Sequence, residues 1–245
     1  FRRVLFRSEN EIGGTLLELV DLYSKRYASS VGSIVPVAVD HGRNGDEQVR
    51  SLFVRIRKEK GRLDILVNNA SAIALTPIEH TEQKKYDLMH EINVRGTYLV
   101  SRHCIPLLKK SDNPHILTMA PPVNLDSKWF AGHTVYTVSK YAMSMMAYGL
   151  SVELVPYKIA SNTLWPKTTI ATAAVENLLG GEQLMRMSRK PEIMADAAFE
   201  IVQKPSTSFT GNHVIDEDIL RQAGINEFDQ YAVDPSNSLF GDLFL

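Results

Sequence analysis

The chain has 245 residues, 44% of them hydrophobic and 22% charged, with a net charge of −1. That length suits one α/β domain and can bury a core without disulfides or metal staples, and the balanced charge leaves no electrostatic footprint for nucleic acid or an anionic membrane. A single cysteine, Cys104, excludes an internal disulfide and a cysteine-built zinc site, and no apolar run reaches the roughly 18–20 residues of a membrane span.

The opening octet FRRVLFRS (1–8) reads as the translated end of a sequencing adapter, so residues 1–8 are expected to be a non-native scar and residues 9–245 a single domain. The alternative is a genuine basic N-terminal strand. GGTLLELVDLYSKRY (13–27) spaces Leu16, Leu19, Val20 and Tyr23 as a helix does, and SIVPVAVD (33–40) is a β-branched run closed by Asp40. Residues 46–61 place Val49, Leu52, Phe53 and Ile56 on one helical face, with Gly61 just past the end. RLDILVNNA (62–70) reads as a buried strand. Residues 82–109 read as a long helix with Asn93 in its middle, PHILTMA (114–120) as a strand and 133–154 as a second long helix. KIASNTLWP (158–166) and NHVID (212–216) are the last two strands, and the tail after Leu220 is expected to wrap the surface. Strands alternating with helices predict a parallel sheet covered on both faces, with ligands at the C-terminal strand ends.

Tyr136 and Lys140 stand four apart in VYTVSKYAM, which puts both on one face of the helix. A phenol has a free pKa of about 10, and a neighbouring ammonium lowers it, so the pair can exchange a proton with a substrate oxygen. Alone, the spacing occurs by chance in many helices. It gains weight from NNA (68–70) at a strand end, from Asn93 in NVRG, from the buried strand one loop earlier and from TLWPKT after the next strand.

Together these residues resemble the short-chain dehydrogenase/reductase family, and PPVNL (121–125) with WPKT (165–168) is similar to its hydroxysteroid dehydrogenase-like branch. The resemblance implies a Rossmann-type doubly wound sheet and an NADP- or NAD-dependent oxidoreductase interconverting an alcohol and a carbonyl on a lipid-, sterol- or terpenoid-like small molecule. It makes Tyr136 the proton donor or acceptor, Lys140 its activator and a ribose contact, and Asn93 a link in a proton relay. Asn69, Ala70, Pro166 and Thr168 would contact the cofactor, and Asp40 its adenine. Members pair as homodimers or homotetramers through the Asn93 and Tyr136 helices.

Two departures accompany it. The family's serine at the end of the strand before the Tyr helix is replaced by Ala120 and Pro121, with Thr118 and Asn124 as candidate substitutes. The family's opening strand and Gly-rich diphosphate loop have no counterpart in the 245 residues. The resemblance therefore implies a fold lacking its first strand, that loop and its second strand, with little turnover. A degraded member that binds a ligand without turnover is the alternative.

The remaining features have plain readings. Met143, Met145, Met146 and Cys104 are expected to pack in the core, and Trp129 and Phe130 to pack or touch substrate. Gly180 and Gly181 are read as a hinge, and Arg186, Arg189 and Lys190 as solvated surface. The seven histidines show no metal-ligand spacing, so no metal site is expected.

Overall fold

Four short strands lie side by side in chain order, all parallel, in the computed structural model, which describes residues 37, 39 and 45–245. They are β1 (Ile65–Asn68), β2 (His115–Met119), β3 (Ala160–Trp165) and β4 (His213–Ile215). Leu66 pairs with Ile116, Ile116 with Ser161, and Leu164 with Val214. Successive side chains of a strand point to opposite faces, and β2 divides accordingly. Ile116 joins the cluster of Val49, Leu52, Phe53, Leu99, Val100 and Cys104, whereas Leu117 joins that of Leu164, Ile193, Ala197, Ile201 and Leu220. Helices thus cover both faces, as the alternating pattern predicts.

The first face is covered by α1 (Asp46–Lys60), whose buried residues are the four apolar positions read from its period. Asp46 and Glu47 in its first turn and Arg57, Lys58 and Lys60 in its last complement the helix dipole. Gly61 ends it at φ 78°, a conformation that side chains disfavour, and returns its N–H to the Arg57 carbonyl at 3.1 Å. Of the strand read at 33–40, Val39 is buried in this same cluster; Asp40, residues 1–8 and the helix at 13–27 lie outside the described residues.

The long helix read at 82–109 has an internal change of pitch. It runs as α2 (Gln83–Met89), a π-helical stretch His90–Gly96, and α3 (Thr97–Leu108). Wide turns of this kind unpair backbone groups and cluster at functional sites; here the Asn93 carbonyl accepts from the Thr97 hydroxyl at 2.7 Å. Then follow α4 (Thr134–Glu153), α5 (Gly181–Arg186), α6 (Glu192–Gln203) and α7 (Asp216–Gln222). Among the described residues no helix is long and apolar enough to cross a membrane.

The tail does more than wrap the surface. Phe228 and Tyr231 enter the second cluster, and Phe244, with none of its surface exposed, enters a third built around Tyr136, Tyr141 and Trp165. Arg189, expected to be solvated, is buried against Glu217, and Met145, expected in the core, is exposed. Met143 and Cys104 are fully buried.

Candidate active site

The C-terminal ends of β2 and β3 meet the flank of α4. This helix buries Tyr136 and Lys140 on successive turns, leaving 5% and 2% of their surfaces exposed. The Ser144 hydroxyl, one turn further, donates to the Pro121 carbonyl at 2.6 Å and ties α4 to the chain leaving β2. The Lys140 amine donates to the Met119 carbonyl at 2.6 Å and lies 4.9 Å from the centre of the Trp165 ring. The sequence-derived pair is therefore brought together with the ends of two strands.

Its electrostatics differ from the simple expectation. Burial pushes the Tyr136 phenol well above its ordinary range, and the nearby charge of Asp242 pushes it the same way. Burial pulls Lys140 down to about 7 against the opposing pull of Asp242. Asp242 keeps part of its surface open, yet burial raises it to about 6. Desolvation penalises every charged form, and the expected lowering of the phenol by Lys140 is not found. In this arrangement Tyr136 is a neutral donor.

Asn93 is fully buried and works as a clamp. Its side-chain oxygen accepts from the Ala72 N–H at 2.7 Å, while its amide donates to the Ala72 carbonyl at 3.0 Å and the Ser139 hydroxyl at 2.9 Å. It thereby joins the loop after β1 to α4, three residues from Tyr136. Asn68 is likewise structural, donating to Ser101 and Thr118. Asn69 is exposed and Ala70 partly so. Both line a groove with Val67, Ile92, Gly96 and Thr97 along the strand end. Across the sheet, Pro166 and Thr168 are buried just past β3, and the Thr168 hydroxyl is buried without a hydrogen-bond partner among the described residues. Buried polar groups are almost always paired; the β1 groove itself includes neither Pro166 nor Thr168.

No serine hydroxyl stands at the end of β2, where Ala120 and Pro121 are buried. Both candidate substitutes are engaged as acceptors. The Thr118 hydroxyl accepts from Asn68, and the Asn124 side-chain oxygen accepts from the Asp126 N–H at 3.0 Å. Sequence reasoning also missed Asp242 and Phe244, which reach this site from the tail. The only local signal was an apolar cluster, Leu243-Phe244-Leu245, closing a polar stretch. It missed the buried carboxylate Glu217 too, which pairs with Arg189, Lys167 and Arg221 and fixes the segment after β3.

The comparisons bear on the family and the fold. A family profile described as enoyl-(acyl carrier protein) reductase matches residues 22–203. A short chain dehydrogenase from Mycobacterium thermoresistibile is 42% identical, with a TM-score of 0.87, and the alignment covers 99% of this chain and 85% of that one. This chain belongs to the short-chain dehydrogenase/reductase family. It is also 51% identical over 214 residues to the hydroxysteroid dehydrogenase-like protein 2 of Danio rerio, and 49% identical over 214 residues to that of Homo sapiens. Each alignment takes in 87% of this chain and 50% of the relative, so the chain spans about half the length of these curated relatives. A metagenomic short-chain oxidoreductase solved in complex with NADP shares the fold, at 18% identity and a TM-score of 0.67 over 87% of this chain and 84% of that one.

Proposed function

We propose that this short-chain dehydrogenase/reductase is an NADP- or NAD-dependent oxidoreductase that interconverts an alcohol and a carbonyl on an apolar small molecule of lipid, sterol or terpenoid type. The observation that carries the reading is the burial of Tyr136 and Lys140 on successive turns of α4, against the ends of β2 and β3. Tyr136 gives its proton to the substrate oxygen during reduction and takes it back during oxidation. Lys140 stabilises the resulting phenolate once substrate and solvent restore its charge. Asn93 positions the pair through Ser139, whose hydroxyl in turn donates to the Tyr136 carbonyl, and stands as the next link in the proton relay.

The cofactor would supply the hydride. Asn69 and Ala70 at the β1 groove and Pro166 and Thr168 after β3 would hold it, with Lys140 at its ribose. The Thr168 hydroxyl, partnerless among the described residues, supports this placement. The adenine contact assigned to Asp40 stays part of the proposal.

Family resemblance also implies association through the two central helices. An exposed apolar stripe on α4, formed by Val138, Met145, Tyr148 and Val152, supports a homodimer or homotetramer. Contiguous exposed apolar patches mark association surfaces.

A second reading is favoured by one observation, the absence of a hydroxyl at Ala120 and Pro121. Losing such a donor costs about 10²–10³ in rate, which suits a protein that binds without turnover. Tyr136→Phe separates the two readings. Followed as NADPH absorbance with an apolar ketone, the reductase reading requires the substitution to abolish turnover. A rate that does not change would support binding alone.

A further inference from the structure

Phe244 sits among side chains that have little reason to meet except around a ring. Its ring centre lies 5.3 Å from that of Tyr141, 5.7 Å from Trp129, 5.9 Å from Trp165 and 6.2 Å from Tyr136, with His133 edge-on at 6.4 Å. These five partners come from the loop after β2, the start of α4 and the end of β3. Without Phe244 they would line an aromatic box beside Tyr136.

Three observations set Phe244 apart from an ordinary core residue. Its backbone lies at φ 77°, in the left-handed region that residues with side chains avoid. Its segment is a strap rather than a helix or strand. The strap is held by an antiparallel bridge between Thr168 and Gly241, with the Thr169 N–H on the Phe240 carbonyl at 2.9 Å and the Asp242 N–H on the Lys167 carbonyl at 3.1 Å, by the Phe240 N–H on the Met187 carbonyl at 2.9 Å, and by the Trp165 indole on the Leu243 carbonyl at 2.9 Å. Gly241 and Leu245 on either side are exposed. Finally, the Trp129 indole N–H at the rim is buried with no acceptor among the described residues. A buried donor left this way costs stability unless a ligand supplies an acceptor.

We propose that the box bounded by Trp129, Tyr136, Tyr141 and Trp165 is the pocket for a flat apolar ring that carries a carbonyl or hydroxyl oxygen, and that Phe244 is its tethered stand-in. A ligand enters by displacing the Phe244 ring. Its oxygen accepts from the Trp129 indole or from Tyr136. This rests on the oxidoreductase reading for its consequence, since Tyr136 is covered while the strap is down. The strap and the ligand compete for one volume, so apparent affinity scales with the fraction of molecules whose box is open.

The test measures binding without cofactor or turnover. The probe is 4-phenylbutan-2-one, titrated by calorimetry and by tryptophan emission; both tryptophans of the chain line the box. Phe244→Gly removes the ring while accepting the left-handed backbone, so the strap keeps its course. It should bind the probe at least about tenfold more tightly than the unsubstituted chain, with a shift in tryptophan emission. Phe244→Leu should fall between. Equal or weaker binding by Phe244→Gly overturns the proposal, and so does loss of its cooperative melting, which would make Phe244 a fixed part of the core. Failure of Tyr136→Phe to abolish turnover would sink the reductase reading and leave this binding result standing.

Discussion

Lys140 donates its amine to the Met119 carbonyl at 2.6 Å, inside a site that leaves 2% of the residue exposed. A carbonyl dipole is a weak partner for a buried cation, and burial brings the amine down to about 7 from 10.5. The unfolded chain holds that proton up to about pH 10.5, whereas the folded chain sheds it near 7. Stability should therefore rise with pH between about 7 and 10.5. Asp242 works in the opposite sense, because it titrates near 6 when folded and at 3.8 when unfolded, so stability should fall as pH climbs across that window. Melting temperature against pH should show both limbs. Lys140→Met should flatten the upper one and Asp242→Asn the lower one, and a profile unchanged by either substitution would contradict the assigned burial.

Asn93→Ala should destabilise the fold as well as slow any reaction. The side chain satisfies both backbone groups of Ala72 and meets the Ser139 hydroxyl. Each buried group left unpaired costs about 1–3 kcal/mol. Urea unfolding should show a lower midpoint, and hydrogen exchange at Ala72 should quicken. Normal exchange at Ala72 would mean that another group holds the loop.

Glu217 gathers three cations, and Arg189 opposite it is equally buried. Burial raises its carboxyl, but Arg189 and Lys167 outweigh this and hold it below its ordinary value. Its contribution is thus full above pH 4.5 and is lost as pH falls through the lowered value. Glu217→Gln leaves Arg189 uncompensated and should cost about 3–5 kcal/mol. The check is the urea midpoint at neutral pH, where a shift near zero would show that Arg189 finds another partner.

The α4 stripe makes an association test. Tyr148→Glu places a charge in the middle of Val138, Met145 and Val152 without touching Tyr136 or Lys140. Size-exclusion chromatography should move the protein to a smaller species, with circular dichroism unchanged. An unaltered elution volume would put the contact elsewhere.

Local pattern carried the secondary structure well. Val49, Leu52, Phe53 and Ile56 are buried because a 3.6-residue period leaves few other ways to hide them, and the alternation in PHILTMA places Ile116 and Leu117 on opposite faces. Tyr136 and Lys140 could be placed on one face from spacing alone. Their protonation could not, because it depends on burial by Trp165 and on Asp242, which lies about a hundred residues away. Arg189 and Glu217 look like surface charges for the same reason: each is ordinary locally, and only the bridge of Arg189 to Ile170, past the end of β3, brings it beside the first turn of α7. Met145 misled because its helix carries one apolar stripe toward the sheet and another toward solvent. The pitch change at Asn93 had no signature beyond Gly96.

The four strands join the sheet in the order in which they leave the ribosome, each beside the one made just before it. The aromatic box obeys a different clock. Trp129, Tyr136 and Tyr141 are in place early, Trp165 soon after, and their last ring arrives only with residue 244. Domains assemble from the N-terminus during synthesis at about 5–20 residues per second, so for several seconds the nascent sheet carries an open, apolar mouth around Tyr136. On the proposed role of Phe244, an apolar small molecule present in that interval would meet the pocket before residue 244 does.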